Sequence, residues 1–384
     1  MGEPVILEAV RTPIGKRNGA LRAYRPDALY AKVLDALLER TGIDPGLIGD
    51  VVTGCVTQVG EQGANVGRLG VLLSRLPKEV PAVSLNRMCG SSQQAVHFVA
   101  QAIAAGDVDF AIAGGVESMT RVPMFSDIGG GFHTLNPELF QKYELIHQGE
   151  SAERIAERYG FCREELDEWG YLSHKRAARA QEEGRFSAQI LPLEGLDAEG
   201  RPFLLTRDEG VRPDVDYEKM LALKPVFRED GVVTAGNSSQ ISDGAAALLF
   251  GDREKALALG LRPRARFLAR VVVAGDPTLQ LLEVIPAAKK ALERAGLSLR
   301  DVDVIEVNEA FASVVLAFLR ELGADPEKVN PNGGAIAHGH PLGATGAVLM
   351  TKLLYELERR GGEFGLQVMC IGHGQATATV IQRI

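Results

Sequence analysis

The stretch VPAVSLNRMCGSSQQAVHFVAQAIAA, residues 80–105, decides the fold prediction. It begins with an apolar run, Val80–Leu85, that is typical of a buried strand. It ends with Gln93–Ala105, where apolar residues recur at helical spacing. A short turn that contains glycine, Asn86–Ser92, separates the two. A strand that runs through a tight turn into a helix is the repeating unit of an α/β protein.

The same alternation continues along most of the chain. Asp50–Val56 and Phe110–Gly114 are apolar runs of strand length, whereas Asp27–Glu39 has the apolar spacing of a helix. Continuous apolar strands are typical of sheets covered on both faces. We therefore predict an α/β fold with buried, mostly parallel strands.

The two ends of the chain are weak copies of each other. A predicted helix, Ala28–Arg40, ends at Gly42 and is followed by the strand of residues 50–55. In the second half the helix Ala287–Arg294 ends at Gly296 and is followed by the strand of residues 301–308. A repeat of well over 100 residues indicates duplication and a fold of two similar halves.

The middle of the chain differs from both ends. From Thr120 to Ser242 it is more polar, with three consecutive glycines, several prolines and two charged helices, Ala152–Tyr159 and Glu164–Glu182. Long insertions on an α/β core usually carry function, although a simple oligomerisation arm is the alternative. We predict a first half formed by residues 1–119 and 243–262, an inserted loop domain at 120–242, and a second half at 263–384.

Composition excludes several classes of protein. The net charge of −8 disfavours general binding to nucleic acid or to an anionic membrane surface. The four cysteines are scattered without a CxxC pair, which favours a reduced, cytoplasmic setting. We see neither a signal peptide nor a transmembrane segment. We therefore expect a cytoplasmic protein with neither nucleic acid nor membrane as a partner.

Cys89 is the first candidate for chemistry. It lies where the predicted helix begins, so the helix dipole and free N–H groups should lower its pKa from roughly 8.5. A nucleophilic thiolate is one interpretation, and plain packing is the other.

His340 lies between Gly339 and Pro341 in the glycine-rich segment Gly333–Gly346. Such a rigid loop would hold an imidazole where it can take a proton from a thiol. A His338–His340 metal pair is the alternative, but no third ligand is near in sequence, and we predict no metal site.

Cys370 and Asn308 each follow or end a predicted strand. Cys370 is close to the backbone of Gly372, which suits a thiol acid or base beside an oxyanion hole, whereas a buried inert cysteine is the alternative. Asn308 would hold a water or an oxyanion, or simply cap a helix.

Together these motifs resemble the thiolase family. The matching segments, in chain order, are Ala9–Gly15, Asn86–Ser92, Ala235–Ala247, Asn308–Phe311, Gly333–Gly346 and Cys370–Gly374. The resemblance covers essentially the whole chain. It implies a thiolase fold, in which two duplicated α/β halves form a five-layered core with an inserted loop domain.

The resemblance also implies an activity. A thiolase reversibly cleaves 3-ketoacyl-CoA (acetoacetyl-CoA or longer) with free CoA, or condenses acyl-CoAs, through an acyl-Cys89 intermediate. His340 would activate Cys89 and contribute to one oxyanion hole. Asn308 would position a water in that hole, and Cys370 would move the α-proton. The backbone N–H groups of Cys89 and Gly372 would form the second hole.

Further implications concern ligands and assembly. Coenzyme A would be a substrate, with no permanently bound cofactor, and the protein would be a homodimer or homotetramer. The residues that the resemblance places around CoA are His147, Arg212, Ser239, Ala310 and Phe311.

Two departures and two rival functions accompany the resemblance. His373 replaces a glycine of many thiolases, and Gln148 replaces a methionine of short-chain biosynthetic members. One rival function is a condensing enzyme similar to β-ketoacyl-acyl-carrier-protein synthases, which lack the second cysteine. The other is a non-catalytic acyl-CoA-binding protein. A nucleotide-cofactor oxidoreductase is disfavoured, because no G-x-G-x-x-G motif follows a first strand.

Overall fold

A computed structural model describes residues 2–384 of the protein. Strands and helices alternate along the chain, as the sequence predicts. The strands are β1 (Pro4–Arg11), β2 (Gly15–Lys16), β3 (Ile48–Gly54), β4 (Ala82–Leu85), β5 (Phe110–Ser118), β6 (Leu193–Leu196), β7 (Pro202–Leu205), β8 (Ser242–Asp252), β9 (Ala265–Ala274), β10 (Val304–Val307), β11 (Phe364–Ile371) and β12 (Gln375–Arg383).

The α-helices have a wide range of lengths. They are α1 (Pro26–Thr41), α2 (Val66–Leu73), α3 (Ser91–Ala105), α4 (Pro137–Lys142), α5 (Gln148–Tyr159), α6 (Arg163–Glu182), α7 (Tyr217–Leu221), α8 (Arg253–Ala258), α9 (Val284–Ala295), α10 (Ala312–Leu322), α11 (Ala335–His338) and α12 (Thr345–Arg360). Within residues 2–384 no helix has both the length and the apolar character needed to cross a membrane.

Ten strands form one long sheet in the order β10-β11-β12-β9-β1-β8-β5-β3-β4, with β2 paired to β8. The two halves of this sheet meet at β1 and β9, which share only two register pairs, Val5–Arg266 and Ile6–Ala265. The remaining two strands, β6 and β7, form a separate antiparallel hairpin within the predicted insertion.

The prediction of mostly parallel strands is wrong. Within residues 2–384 only the pairs β3–β4, β3–β5 and β10–β11 are parallel, and the other strand pairs are antiparallel. A strand that is buried on both faces has the same apolar composition whichever way its neighbours run. Its direction is therefore set by how the chain connects, which composition does not reveal.

Helices cover both faces of the two half-sheets and also fill the space between them. Helix α1 packs on the outer face of the first half, whereas α9 and α10 cover the outer face of the second. Helices α3 and α12 contact each other and lie between the halves, as the side chain of Gln93 in α3 shows by donating to the Gln367 carbonyl of β11. The result is a layered α-β-α-β-α arrangement, and burying each large aliphatic side chain in it contributes about 1.5–3 kcal/mol.

The internal repeat is visible in matching local structure. Helices α1 and α9 both end at a left-handed glycine, Gly42 with φ 65° and Gly296 with φ 68°. A side chain would be strained there, which explains why glycine marks both ends. A short 3-10 turn follows each glycine and leads into β3 or β10.

A buried ion pair attaches the segment around Asp208 to strand β1. Arg11 at the end of β1 donates to Asp208 over 2.7 and 3.0 Å, and both side chains are fully buried. Burial alone would raise the pKa of Asp208, but the Arg11 guanidinium and the His338 ring hold that pKa well below its usual range. Removing either charge would leave the other buried and unpaired, which is strongly destabilising.

Candidate active site

Cys89 lies in the tight turn between β4 and α3. The residue before it, Met88, has a left-handed φ of 46°, which is uncommon for a residue with a side chain. Two hydrogen bonds hold this conformation. The Met88 N–H donates to Asn86 Oδ1 (2.7 Å), and the Ser91 hydroxyl donates to the Met88 carbonyl (2.5 Å). The turn fixes the position of the cysteine just before the first turn of α3.

The prediction of a lowered Cys89 pKa is wrong. Burial raises the pKa of this thiol to about 12, and proximity to Cys370 adds to the effect. The backbone N–H of Cys89 and a hydrogen bond from the Gln148 side chain act in the opposite direction. Desolvation dominates because Cys89 is only 5% exposed, which the sequence around a helix start does not reveal. Cys89 is therefore a neutral thiol at rest.

His340 is a buried, neutral imidazole. Its Nδ1 lies 2.5 Å from the hydroxyl oxygen of Thr345, whereas its Nε2 is buried without a hydrogen-bond partner among the described residues. Burial lowers the pKa of His340 to about 4, so the ring carries no charge near neutral pH. A neutral ring nitrogen with a free lone pair is what proton acceptance from a thiol requires.

The second histidine of the loop has a different role. His338 contacts Asp208 through Nδ1 (2.7 Å) and the Asn332 carbonyl through Nε2 (2.9 Å). Both ring nitrogens are thus engaged by the protein, so His338 does not share a metal with His340. Within residues 2–384 no group of three or more acidic, histidine or cysteine side chains has the arrangement of a metal site.

Asn308 and Cys370 lie side by side, and Cys370 is close enough to Cys89 to raise the pKa of its thiol. Asn308 follows β10 and Cys370 lies near the end of β11, and these two strands are parallel neighbours. The Asn308 amide donates to Cys370 Sγ over 3.7 Å, while Asn308 Oδ1 has no partner among the described residues. Burial raises the pKa of Cys370 to about 11, against the effect of the Asn308 hydrogen bond. The thiol is therefore protonated at neutral pH and can act as a proton donor.

Gly372 lies in the three-residue turn that joins β11 to β12. A Cβ atom added there would come within 2.8 Å of Gln148 Nε2 and 2.9 Å of Met88 Sδ, so a side chain would require these two flexible side chains to shift. The next residue, His373, has φ 59°, and its N–H donates to Gln280 Oε1 over 2.8 Å. Close packing around Gly372 brings its backbone to the wall of the site, beside the Cys89 turn.

A cavity of ≈ 610 Å³ brings most of the predicted residues together. Its wall contains Cys89, His340 and Gly372, and Gln148 and His373 lie there as well. Cys370 and Asn308 are buried, at 0% and 1% exposed, and are not among the residues that line the cavity. The predicted CoA residues all line the same cavity: His147, Arg212, Ser239, Ala310 and Phe311.

Two contacts arrange the predicted CoA residues. The Ser239 N–H donates to the Ala310 carbonyl over 2.9 Å, which joins the segment before β8 to the segment after β10. The His147 ring stacks on Phe227 with centroids 5.1 Å apart, and Phe227 contacts Phe311 edge to face at 6.0 Å. Arg212 is exposed at the cavity, which leaves its guanidinium free to meet a ligand.

Comparison with known proteins identifies the family. Residues 4–254 match the family described as Thiolase, N-terminal domain, and residues 261–383 match Thiolase, C-terminal domain. The chain belongs to the thiolase family. A steroid 3-ketoacyl-CoA thiolase from Mycobacterium tuberculosis is 46% identical, over 100% of this chain and 95% of that protein. A 3-ketoacyl-CoA thiolase from Bacillus subtilis is 43% identical over the full length of both.

A solved structure shows the same architecture. The acetyl-CoA acetyltransferase of Bacillus anthracis superimposes with a TM-score of 0.92 at 37% identity, and covers 100% of this chain and 99% of the other. The predicted thiolase fold is thereby confirmed. This thiolase is an acyltransferase that acts on acyl-CoA thioesters by thiolytic cleavage or condensation.

Sequence reasoning missed a buried carboxylate that organises this thiolase site. Glu117 at the end of β5 accepts hydrogen bonds from the N–H groups of Val56 (2.9 Å), Thr57 (3.1 Å) and Gly343 (2.8 Å). It thereby joins the loop after β3 to the loop that carries His340. The available signal was an acidic residue that ends an otherwise apolar strand, because such a residue needs several donors to be buried.

Proposed function

We propose that Cys89 of this thiolase becomes acylated and that His340 is the base that activates it. The observation that carries this proposal is the buried, unpartnered Nε2 of a neutral His340 in the cavity that Cys89 also lines. With the pKa of Cys89 at about 12, few molecules carry a thiolate, so attack requires a nearby acceptor for the proton. His340 supplies that acceptor without first having to lose a proton of its own.

The degradative reaction then proceeds in two stages. Cys89 Sγ attacks the 3-keto carbon of a 3-ketoacyl-CoA while its proton passes to His340. The bond to the α-carbon breaks, the acyl group stays on Cys89, and acetyl-CoA leaves as an enolate. Free CoA then attacks the acyl group and releases the shortened acyl-CoA. The thiol proton of CoA replaces the proton delivered to the enolate, and the proton held by His340 returns to Cys89 Sγ to restore the thiol. A covalent intermediate of this kind predicts ping-pong kinetics.

Cys370 is proposed as the acid that protonates the departing enolate, and as the base that removes the α-proton in condensation. Its pKa of about 11 keeps the proton on sulfur near neutral pH, and the Asn308 amide stabilises the thiolate that forms when the proton leaves. Asn308 is proposed to use its unpartnered Oδ1 to hold a water of the first oxyanion hole.

Backbone groups are proposed to form the second oxyanion hole. The N–H groups of Cys89 and Gly372 have no acceptor among the turn and loop hydrogen bonds of residues 2–384. Preorganised donors of this kind stabilise the negative charge that develops on a thioester oxygen. The 610 Å³ cavity leaves room for the thioester beside them.

Coenzyme A is proposed as a substrate that binds along the insertion, with no permanently bound cofactor. One wall of the cavity contains the stacked rings of His147 and Phe227. It also contains Ser239 and Ala310, which are joined by a backbone hydrogen bond. Among the described residues that line the cavity, Arg212 is the only Lys or Arg, and it is proposed to pair with the nucleotide end of CoA.

The test measures acetyl-CoA release from acetoacetyl-CoA and from a long-chain 3-ketoacyl-CoA, each with free CoA. Cys89→Ala should abolish acylation and turnover, whereas Cys162→Ala, at an exposed cysteine outside the cavity, should change neither. A protein that binds CoA but never becomes acylated would refute the proposed roles. The comparison of the two substrates reports the preferred chain length.

We propose further that two chains assemble through the free edge of β4. This strand ends the large sheet, so its outer backbone groups are available to pair with a second copy. Apolar side chains are exposed nearby in sequence, with Val83 and Phe98 both at 45% and Leu73 at 57%. Phe98→Glu should convert a homodimer to monomers in light scattering, and an unchanged mass would refute this surface.

We also propose a tetramer, a division into three domains and a cytoplasmic location. The exposed Leu139, Phe140 and Tyr143 in and after α4 are proposed to join two dimers. The proposed halves are residues 1–119 with 243–262, and residues 263–384, around an insertion of residues 120–242. The scattered free cysteines support a reduced, cytoplasmic setting.

A further inference from the structure

One hydroxyl group contacts the imidazole of His340. Thr345, the first residue of α12, is 1% exposed, and its Oγ1 lies 2.5 Å from His340 Nδ1. The same Oγ1 lies 3.1 Å from the carbonyl oxygen of Pro341. The hydroxyl therefore connects the ring to the backbone of the loop that carries it.

The direction of these two hydrogen bonds follows from the number of hydrogens. A threonine hydroxyl has one hydrogen and can also accept. The Pro341 carbonyl can only accept, and a carbonyl four residues earlier is the usual acceptor of a threonine hydroxyl in a helix. When the hydroxyl donates to Pro341, the bond to His340 must be donated by Nδ1–H. A neutral imidazole has one N–H, so the lone pair is then on Nε2.

Among the described residues, no group other than Thr345 determines which ring nitrogen of His340 carries the hydrogen. The backbone N–H of His340 donates to the Gln240 carbonyl and to Ser242 Oγ, each over 3.1 Å, which fixes the backbone but does not touch the ring. Nε2 has no partner among the described residues. Within that part of the chain, Thr345 is thus the only hydrogen-bonding contact of the imidazole.

We propose that Thr345 is a positioning residue that keeps neutral His340 in the Nδ1–H tautomer, so that Nε2 can take the proton of Cys89. This inference rests on the proposed function, in which His340 is the base. The proton leaves Cys89 Sγ, bonds to Nε2 and gives an imidazolium whose Nδ1–H still donates to Thr345. Without the hydroxyl, either nitrogen can carry the hydrogen and the ring can rotate.

Three variants separate this role from simple packing. Thr345→Val removes the hydroxyl and keeps the shape, whereas Thr345→Ser keeps the hydroxyl. Thr351→Val is the matched control, because Thr351 is fully buried in the same helix and donates to the Ala347 carbonyl over 2.8 Å, without contact to the site. The Thr351→Val variant loses the same kind of helical hydrogen bond, from a hydroxyl to a carbonyl. It leaves the contact between Thr345 and His340 intact.

To measure acylation of Cys89, the protein is mixed with acetoacetyl-CoA, the reaction is quenched at set times, and the acylated fraction is read from the intact protein mass by mass spectrometry. Thr345→Val should slow acylation by roughly 10²-fold, a part of what a mispositioned or wrongly protonated histidine costs. The KM should stay within about threefold, because substrate binding is not the step affected. Thr345→Ser should restore most of the rate, and Thr351→Val should leave it unchanged.

Nitrogen NMR of protein with labelled histidine supplies a readout that packing would not change. The wild type should show a protonated Nδ1 and an unprotonated Nε2 for His340, and Thr345→Val should show a mixture. A folded Thr345→Val that acylates at the wild-type rate, or a wild-type Nε2 that carries the hydrogen, would overturn the inference. Wild-type acylation by His340→Ala would instead refute the proposed base itself.

Discussion

The resting state of Cys89 gives the sharpest prediction for this thiolase. Burial raises the pKa of its thiol to about 12, whereas an ordinary cysteine has a pKa of roughly 8.5. At pH 8 a thiol with a pKa of 12 is about 10⁻⁴ thiolate, compared with roughly one quarter for the ordinary thiol. Because thiolates are the species that react, Cys89 should be alkylated about 2 × 10³-fold more slowly than an ordinary thiol would be.

The assay is alkylation by iodoacetamide between pH 7 and 10, resolved for each cysteine by peptide mass spectrometry. Cys162 is exposed and provides an accessible thiol in the same molecule. The rate at Cys89 should rise about tenfold per pH unit without levelling off over this range, because the thiolate fraction grows tenfold per unit below the pKa. Restricted access of iodoacetamide to Cys89 would lower its alkylation rate by the same factor at every pH. The tenfold rise per pH unit would therefore remain.

A levelling of the Cys89 rate below about pH 9 would refute the reasoning. It would mean that the helix N-terminus or a charged pair with His340 overcomes desolvation, as the sequence first indicated. A continuous rise would instead support a neutral Cys89–His340 pair. Proton transfer would then accompany attack on the substrate.

Cys370, the buried histidines and the Arg11–Asp208 pair can each be tested by mutation or by a change of pH. Cys370→Ala should still acylate Cys89 but lose condensation, so full condensation activity would exclude its proton-transfer role. Protein stability, measured by thermal unfolding, should fall as pH drops from about 6.5 towards 4. The reason is that burial lowers the pKa of His97 to about 3 and of His174 to about 4. Below pH 6.5 the unfolded chain therefore binds protons that the folded chain does not. A melting temperature that stays constant over this pH range would contradict the prediction. Asp208→Asn should lower the free energy of unfolding by about 3 kcal/mol, because it leaves the buried Arg11 charge unpaired. A melting temperature equal to that of the wild type would show that the pair is not stabilising.

Much of the fold could be predicted because it follows from local patterns. The strand–turn–helix at residues 80–105 and the two helices that end at Gly42 and Gly296 are as the sequence indicated. Apolar spacing determines which segments form helices or strands, and glycine marks left-handed helix ends. Strand direction was predicted wrongly, because antiparallel pairing between β1 and β8 and between β5 and β8 depends on long connections.

The candidate site could be predicted in part for the same reason. Cys89, His340 and Gly372 each lie in a short, recognisable turn, and the tertiary structure brings all three to one cavity. Glu117 and Thr345 were missed, since their importance comes from partners that are distant in sequence or from the position of a single hydrogen. A buried carboxylate and a helical threonine look ordinary until those partners are known.

The sequence by itself determined the family, the α/β class and the residues capable of thiol chemistry, because motifs and apolar periodicity are local properties. Only the tertiary structure decided the protonation states. The helix start at Cys89 favours a thiolate, but the desolvation that opposes it depends on all the surrounding elements, and desolvation is the larger effect. The same burial keeps His340 neutral and its Nε2 free, so the chemistry that the motifs make available depends on how tightly the two halves pack around it.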